Sequence, residues 1–139
     1  MRTRLFSIIL LLGLGLCLPA RAADRINVTD FGADPTDEAP DTQAIISAVN
    51  SLPAHVSRSI YFPPGKYIVE SPIYVPANTS CRFYGDGPGV STIVFRNGTS
   101  AGIFGYQMES STLQVDGLTL KAGSQDCGTA IWAIFDPAS

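Results

Sequence analysis

Hydrophobic and polar positions divide the chain into three stretches. Residues 5–18 are almost all apolar, residues 41–52 carry apolar positions at helical spacing, and from residue 59 onward short apolar runs alternate with Gly, Pro and Asn. Pro19 ends the first run, which is 14 residues long and short of the roughly 20 that span a bilayer as a helix. In the second, Asp41 is an expected N-cap, Ile45, Ile46, Val49 and Leu52 share one face, and Pro53 stops the helix. In the third, β-branched and aromatic content predicts strands at 59–62, 66–69, 73–75, 81–84, 92–95, 103–106, 113–115, 118–120 and 130–135. A further short strand is expected over 27–32. Turns are expected at 63–65, 76–78, 85–89, 97–98 and 116–117, where Gly, Pro, Asn and Asp cluster.

The spacing of these strands predicts an architecture. Ile60, Arg82 and Ile103 stand 21–22 residues apart, and Ile73, Ile93 and Leu113 stand 20 apart. A loose period of that size is what stacked coils of a β-solenoid produce. Many short strands with regular turns also describe a β-sandwich, and the pattern alone leaves it open. A lone helix ahead of the run of strands from residue 59 onward favours the coil stack, whose open apolar end needs an amphipathic cover.

The first stretch reads as a targeting segment. Arg2 and Arg4 precede the apolar run, no acidic residue appears before Asp24, and Ala20-Arg21-Ala22 offers the small-x-small pattern of signal peptidase. Residues 1–22 are therefore expected to be a signal peptide cleaved between Ala22 and Ala23, leaving 23–139 as an exported domain, extracellular or periplasmic. Leu16 before Cys17 speaks against a lipid anchor, since a small residue is expected there. No transmembrane segment is expected to remain. Cleavage removes three of nine cations and none of the twelve acids, which takes the formal charge from −3 to −6. A chain of that sign without a Lys/Arg cluster excludes a nucleic-acid partner.

Three ordered motifs narrow the reading. Asn27–Ala33 (NVTDFGA), the helix opening Asp41-Thr-Gln-Ala-Ile-Ile46 and Ile60–Tyr67 (IYFPPGKY) together resemble an N-terminal segment shared by the pectate-lyase-like superfamily. That superfamily holds pectate lyases, polygalacturonase-type hydrolases, exo-β-1,3-glucanases, alginate-type epimerases and phage tailspikes. The resemblance runs from residue 26 to about 120 and departs at 34–40, where a compact Gly-Asp-Gly turn is more usual. It implies an all-β, right-handed parallel β-helix with an N-terminal capping α-helix, and a polysaccharide as partner. It implies a secreted hydrolase or lyase, or alternatively a non-catalytic carbohydrate-binding or adhesin-like β-helix. It carries over no active site, because the catalytic elements of these families have no counterpart here.

Candidate chemistry therefore rests on single residues. Glycoside hydrolysis needs two carboxylates about 5–5.5 Å or 6.5–9.5 Å apart. At one coil's separation the candidate pairs are Asp86 with Glu109 and Asp116 with Asp136. Asp86 in Gly-Asp-Gly and Asp116 in Asp-Gly also serve turns through their own side chains. No cofactor is evident. A lyase would call for calcium, for which Asp86, Asp116 and Asp126 show no recurring ligand spacing. Tyr61, Tyr67, Tyr74, Tyr84, Tyr106 and Trp132 are candidate sugar-stacking residues wherever they face out. Alternation sets Tyr61 and Tyr84 opposite the core residues Phe62 and Phe83. His55, the single histidine, reads as a loop residue. Cys81 and Cys127 fall about two coils or ~10 Å apart, beyond the ~7 Å reach of a disulfide, so both are expected unpaired. The chain closes soon after a strand with no second cap, so it is expected to be the N-terminal fragment of a longer β-helix, incomplete at its C-terminus. Oligomeric state is left open.

Overall fold

A computed structural model describes residues 25–52, 57–77, 79–96, 102–105, 112–123 and 131–133. Strand β1 (Arg25–Asn27) leads into a short 3-10 helix, Val28–Phe31. The expected strand over 27–32 is thus mostly helical turn. Asn27 caps it by accepting the Thr29 N–H at 3.1 Å, and Gly32 closes it at φ 95°, a left-handed conformation that glycine adopts without strain. Helix α1 (Thr42–Asn50) follows.

The remaining elements are strands: β2 (Arg58–Phe62), β3 (Gly65–Val69), β4 (Ile73–Val75), β5 (Cys81–Gly85), β6 (Ser91–Phe95), β7 (Ile103–Gly105), β8 (Leu113–Asp116), β9 (Thr119–Ala122) and β10 (Ile131–Ala133). They form three parallel sheets, ordered β1-β2-β5-β8, β3-β6-β9 and β4-β7-β10. The chain is therefore mostly β, with parallel sheets and, among the described residues, one α-helix. From β2 onward consecutive strands enter different sheets, and each sheet gains a strand every third step, while β1 and β2 share the first sheet.

Register corrects the period read from the sequence. Partners lie 34, 23 and then 32 residues apart in the first sheet, 26 and 27 in the second, 30 and 28 in the third. Ile60 pairs with Phe83, not Arg82, and Ile73, Ile93 and Leu113 belong to three different sheets. Strands of all three sheets look alike in composition, and the links between them vary in length. Spacing between successive strands therefore passed for spacing between paired strands of one sheet.

One core joins the sheets. Ile60, Phe62 and Phe83 from the first, Tyr67, Val69, Ile93 and Phe95 from the second, and Ile73, Val75 and Ile103 from the third are all buried in it. Each such side chain contributes about 1.5–3 kcal/mol by leaving water. Tyr67, a candidate stacking residue by sequence, faces this interior and donates its hydroxyl to the Pro63 carbonyl at 3.0 Å. Burial raises its pKa well above the ordinary tyrosine value.

The segment ahead of β2 lies along the first strands of the second and third sheets, while β1 is itself the edge strand of the first. The free edge of β3 receives the loop 34–41: Asp41 N–H donates to the Ile68 carbonyl at 2.7 Å, and Lys66 N–H to the Pro35 carbonyl at 3.2 Å. Asp41 holds the N-cap position of α1 but caps nothing with its side chain. Its carboxylate accepts instead from the backbone of Asp34 and Ile68, both at 2.8 Å. Glu38 then clamps the loop to Lys66 and Arg96. Helix α1 seats buried Ile45, Ala48 and Val49 in the core and packs beside β4.

Candidate functional site

The outer face of the first sheet is where the described polar chemistry gathers. Alternation puts Ile26, Ile60, Phe83 and Val115 toward the core and leaves two outward columns in register. One is Asn27, Tyr61, Tyr84 and Asp116, and the other is Arg25, Ser59, Arg82 and Gln114. The Tyr61 and Tyr84 rings lie 5.1 Å apart at 37°. Arg25 places its guanidinium 4.1 Å from the centre of the Tyr61 ring, and Arg82 stands 5.0 Å from that of Tyr84. A cation over an aromatic face is attracted by the ring quadrupole, so these rings meet guanidinium as well as solvent.

Both described candidate carboxylates belong to this cluster. Asp86 accepts the Tyr61 hydroxyl at 2.6 Å, and Asp116 pairs with Nη2 of Arg82. The bond to Asp86 holds the Tyr61 phenol above its ordinary pKa, with burial adding to the shift. Ser91, fully buried, sets the turn that carries Asp86. Its hydroxyl accepts the Asp86 N–H at 3.1 Å and donates to the Phe62 carbonyl at 2.9 Å. Gly85 precedes that turn because a Cβ there would lie 2.5 Å from the Cβ of Ser91. Successive turns stack, Gly87 N–H donating to the Gly117 carbonyl at 3.0 Å.

A cavity of about 310 Å³ opens where β2, β5 and β8 begin. Ser57, Ser59, Ser80 and Thr112 line it together with Arg58 and Arg82, and Cys81 and Gln114 complete the wall. Ser80 links the starts of β5 and β8 by accepting the Thr112 N–H at 3.2 Å. Cys81 is a free, buried thiol, and desolvation pushes its pKa up to about 12. It is therefore no nucleophile at neutral pH.

The structure gathers Asp86, Asp116, Tyr61 and Tyr84 on one face. Glu109, Asp136 and Tyr106 lie outside the described residues, as do Ala22, Ala23, Cys127, Asp126 and His55. Neither expected carboxylate pair can thus be measured. Among the described residues no three His, Cys, Asp or Glu side chains are placed to hold a metal. No described helix is long and apolar enough to cross a membrane. Sequence reading missed the partnership of Arg25 and Arg82 with the tyrosines. Its signal is the polar-apolar-polar triplet at the strand starts, Arg25-Ile-Asn27, Ser59-Ile-Tyr61, Arg82-Phe-Tyr84 and Gln114-Val-Asp116, visible once the register is known.

Residues 25–129 match the family model described as rhamnogalacturonase A/epimerase, pectate lyase-like. No curated protein matches the chain. Among solved structures, ORF18 of Geobacillus virus E2 superposes with a TM-score of 0.67 at 21% identity, over 78% of this chain and 23% of that one. The Agl-KA catalytic domain gives 0.53 at 28% identity, over 71% of this chain and 19% of its own. The catalytic unit of the GH87 α-1,3-glucanase of Streptomyces thermodiastaticus strain HF3-3 gives 0.51 at 22% identity, over 82% and 24%. The chain thus spans about a quarter or less of each of these proteins.

Proposed function

Because the chain belongs to the rhamnogalacturonase A/epimerase, pectate lyase-like family, we propose that its described strands are the first coils of an exported, polysaccharide-active, right-handed parallel β-helix. The cyclic entry of strands into three parallel sheets supports the solenoid, and the near-universal right hand of parallel crossovers supports its handedness. Helix α1 beside β4, the loop 34–41 on β3 and β1 on β2 support a cap at the N-terminal end. Export rests on residues 1–22, with their paired arginines, apolar run and small-x-small site.

The observation that carries the carbohydrate reading is the outward face of the first sheet. Tyr61 and Tyr84 stand in register beside arginines, carboxylates and a serine, the mixture of flat apolar surface and fixed hydrogen-bonding groups that a sugar ring needs. In this reading the face holds a glycan while a hydrolytic or lyase step proceeds in the same protein. A second reading, binding without cleavage, is favoured by one fact: Asp86 and Asp116 are each already engaged, by Tyr61 and Arg82. Neutral glucans and polyuronates incubated with the native exported protein separate the two. New reducing or unsaturated ends establish the enzyme, and retention on the polymer without new ends establishes the binder. Neither cleavage nor retention on any polymer overturns the carbohydrate reading.

A further inference from the structure

Strand β3 has β6 on one side and, among the described residues, no strand on the other, where the loop 34–41 takes its backbone groups. Lys66 N–H donates to the Pro35 carbonyl at 3.2 Å, Ile68 N–H donates to the Asp41 carboxylate at 2.8 Å, and the Ile68 carbonyl accepts Asp41 N–H at 2.7 Å. Pro40 and Ile68 form a parallel bridge, so the loop imitates a strand without being one. It is seated closely, since a Cβ at Gly65 would lie 2.3 Å from that of Pro35. Little apolar surface holds it there, because residues 36–40 are all exposed. Its side-chain ties to the sheet are the Asp41 carboxylate at one end and Glu38 in the middle, which pairs with Lys66 on β3 and with Arg96 just beyond β6. All three members of that ion pair cluster are more than a third exposed, so dissolved salt reaches them.

We propose that the loop 34–41 is a strap latched by Glu38, which lifts from a sheet that stays folded and bares the β3 edge to the same edge of a second copy of the chain. Segments with few buried contacts open at a lower free energy than the whole fold, and exposed ion pairs are weak locks that salt loosens. A bared strand edge is a template for another strand. Gly65–Val69 suits that pairing, with no proline and a single charge. Two such edges related by a two-fold axis run antiparallel, and each supplies the carbonyl and N–H groups that the other has lost. With the strap down, the edge lies behind Asp34, Asp37 and Glu38, three carboxylates that repel another acidic chain. Salt weakens the latch and that repulsion together, so opening and pairing answer to one signal.

Amide hydrogen exchange read by NMR, together with sedimentation velocity, tests this on the exported protein. Raising salt, or making Glu38→Gln at low salt, should speed exchange at Lys66 and Ile68 roughly fivefold, the scale of two exposed ion pairs lost together. Tyr67 and Val69, whose N–H groups point by alternation toward β6 as that of Gly65 does, should keep their protection. So should Glu70, whose N–H donates to the Thr42 hydroxyl at the start of α1 at 2.9 Å. A concentration-dependent dimer should appear under the same conditions. Asp37→Asn removes an equal charge from a carboxylate that accepts the Ala39 N–H at 3.0 Å within the loop, and it should change neither readout. Unchanged exchange at Lys66 and Ile68 in Glu38→Gln, or an equal response in Asp37→Asn, overturns the latch. Faster exchange at all five amides together would show strap and sheet opening as one, which overturns a separate strap. A strap that lifts from a chain that stays monomeric overturns the pairing with a second copy.

Discussion

At the residue scale the Tyr61–Asp86 bond offers the most direct check on the outward face. A phenol that donates to a carboxylate 2.6 Å away resists ionisation, because its anion would face a second negative charge. Replacing Asp86 with Asn removes that charge, so one tyrosine should titrate at lower pH in a spectrophotometric titration of Asp86→Asn. An unchanged titration would mean that the bond does not persist in solution. The linkage has a definite sign. The folded pKa is raised, so the stabilisation is complete below the ordinary value of 10.0 and is lost as pH rises through the folded value. Part of this was legible in the sequence, since alternation sets Tyr61 against Phe62 and the Gly-Asp-Gly context marks Asp86 as a turn residue. The pairing of the two was not, because they stand 25 positions apart and meet only through the turn after β5.

At the scale of the element, the loop 34–41 shows how a segment without regular structure is fixed. Asp41 is only 5% exposed, and burial raises its pKa, while the bonds from Ile68 and Asp34 pull it back. Asparagine can accept only one of those two N–H bonds. Asp41→Asn should therefore cost about 1–3 kcal/mol, the usual penalty for an unpaired buried group. The pH dependence decides which effect governs the native carboxyl. With its pKa raised, its contribution is full below the ordinary value of 3.8 and is lost as pH rises through the folded value. The stability gap between the native chain and Asp41→Asn, measured by urea denaturation, should therefore widen from pH 7 to pH 4. A gap that narrows would show that the backbone hydrogen bonds outweigh desolvation. Glu38 works in the opposite sense. Lys66 first and Arg96 second lower its pKa, so its contribution is present above the ordinary 4.5 and fades as pH falls. The helix itself was legible from Ile45, Val49 and Leu52. The task of Asp41 was not, because a carboxylate before a helix reads as a cap and its real partner, Ile68, is 27 residues away.

At the scale of the whole molecule the question is whether the three parallel sheets behave as one unit. Here the three sheets share a single core, and Phe83 is fully buried in it, its ring 5.9 Å from that of Phe62 and stacked at 25°. Truncating it should cost about 3–5 kcal/mol, the range for a buried Phe→Ala change. That is a large share of the roughly 5–15 kcal/mol that holds a domain together. If the core is common, Phe83→Ala weakens the third sheet as much as its own. Urea transitions followed by backbone circular dichroism and by the fluorescence of Trp132, the single tryptophan, would then shift together to lower denaturant. A mutant whose fluorescence transition stays in place while the backbone signal moves would show that β10 and its neighbours fold apart from the first sheet. The sequence foretold strands, turns and a leading helix, because those depend on residues close together. It misjudged which strands pair with one another, because that depends on turn lengths that composition does not record. A Phe83→Ala transition that remains single and shifts as a whole would show that the register, not the local pattern, makes these short strands one structure.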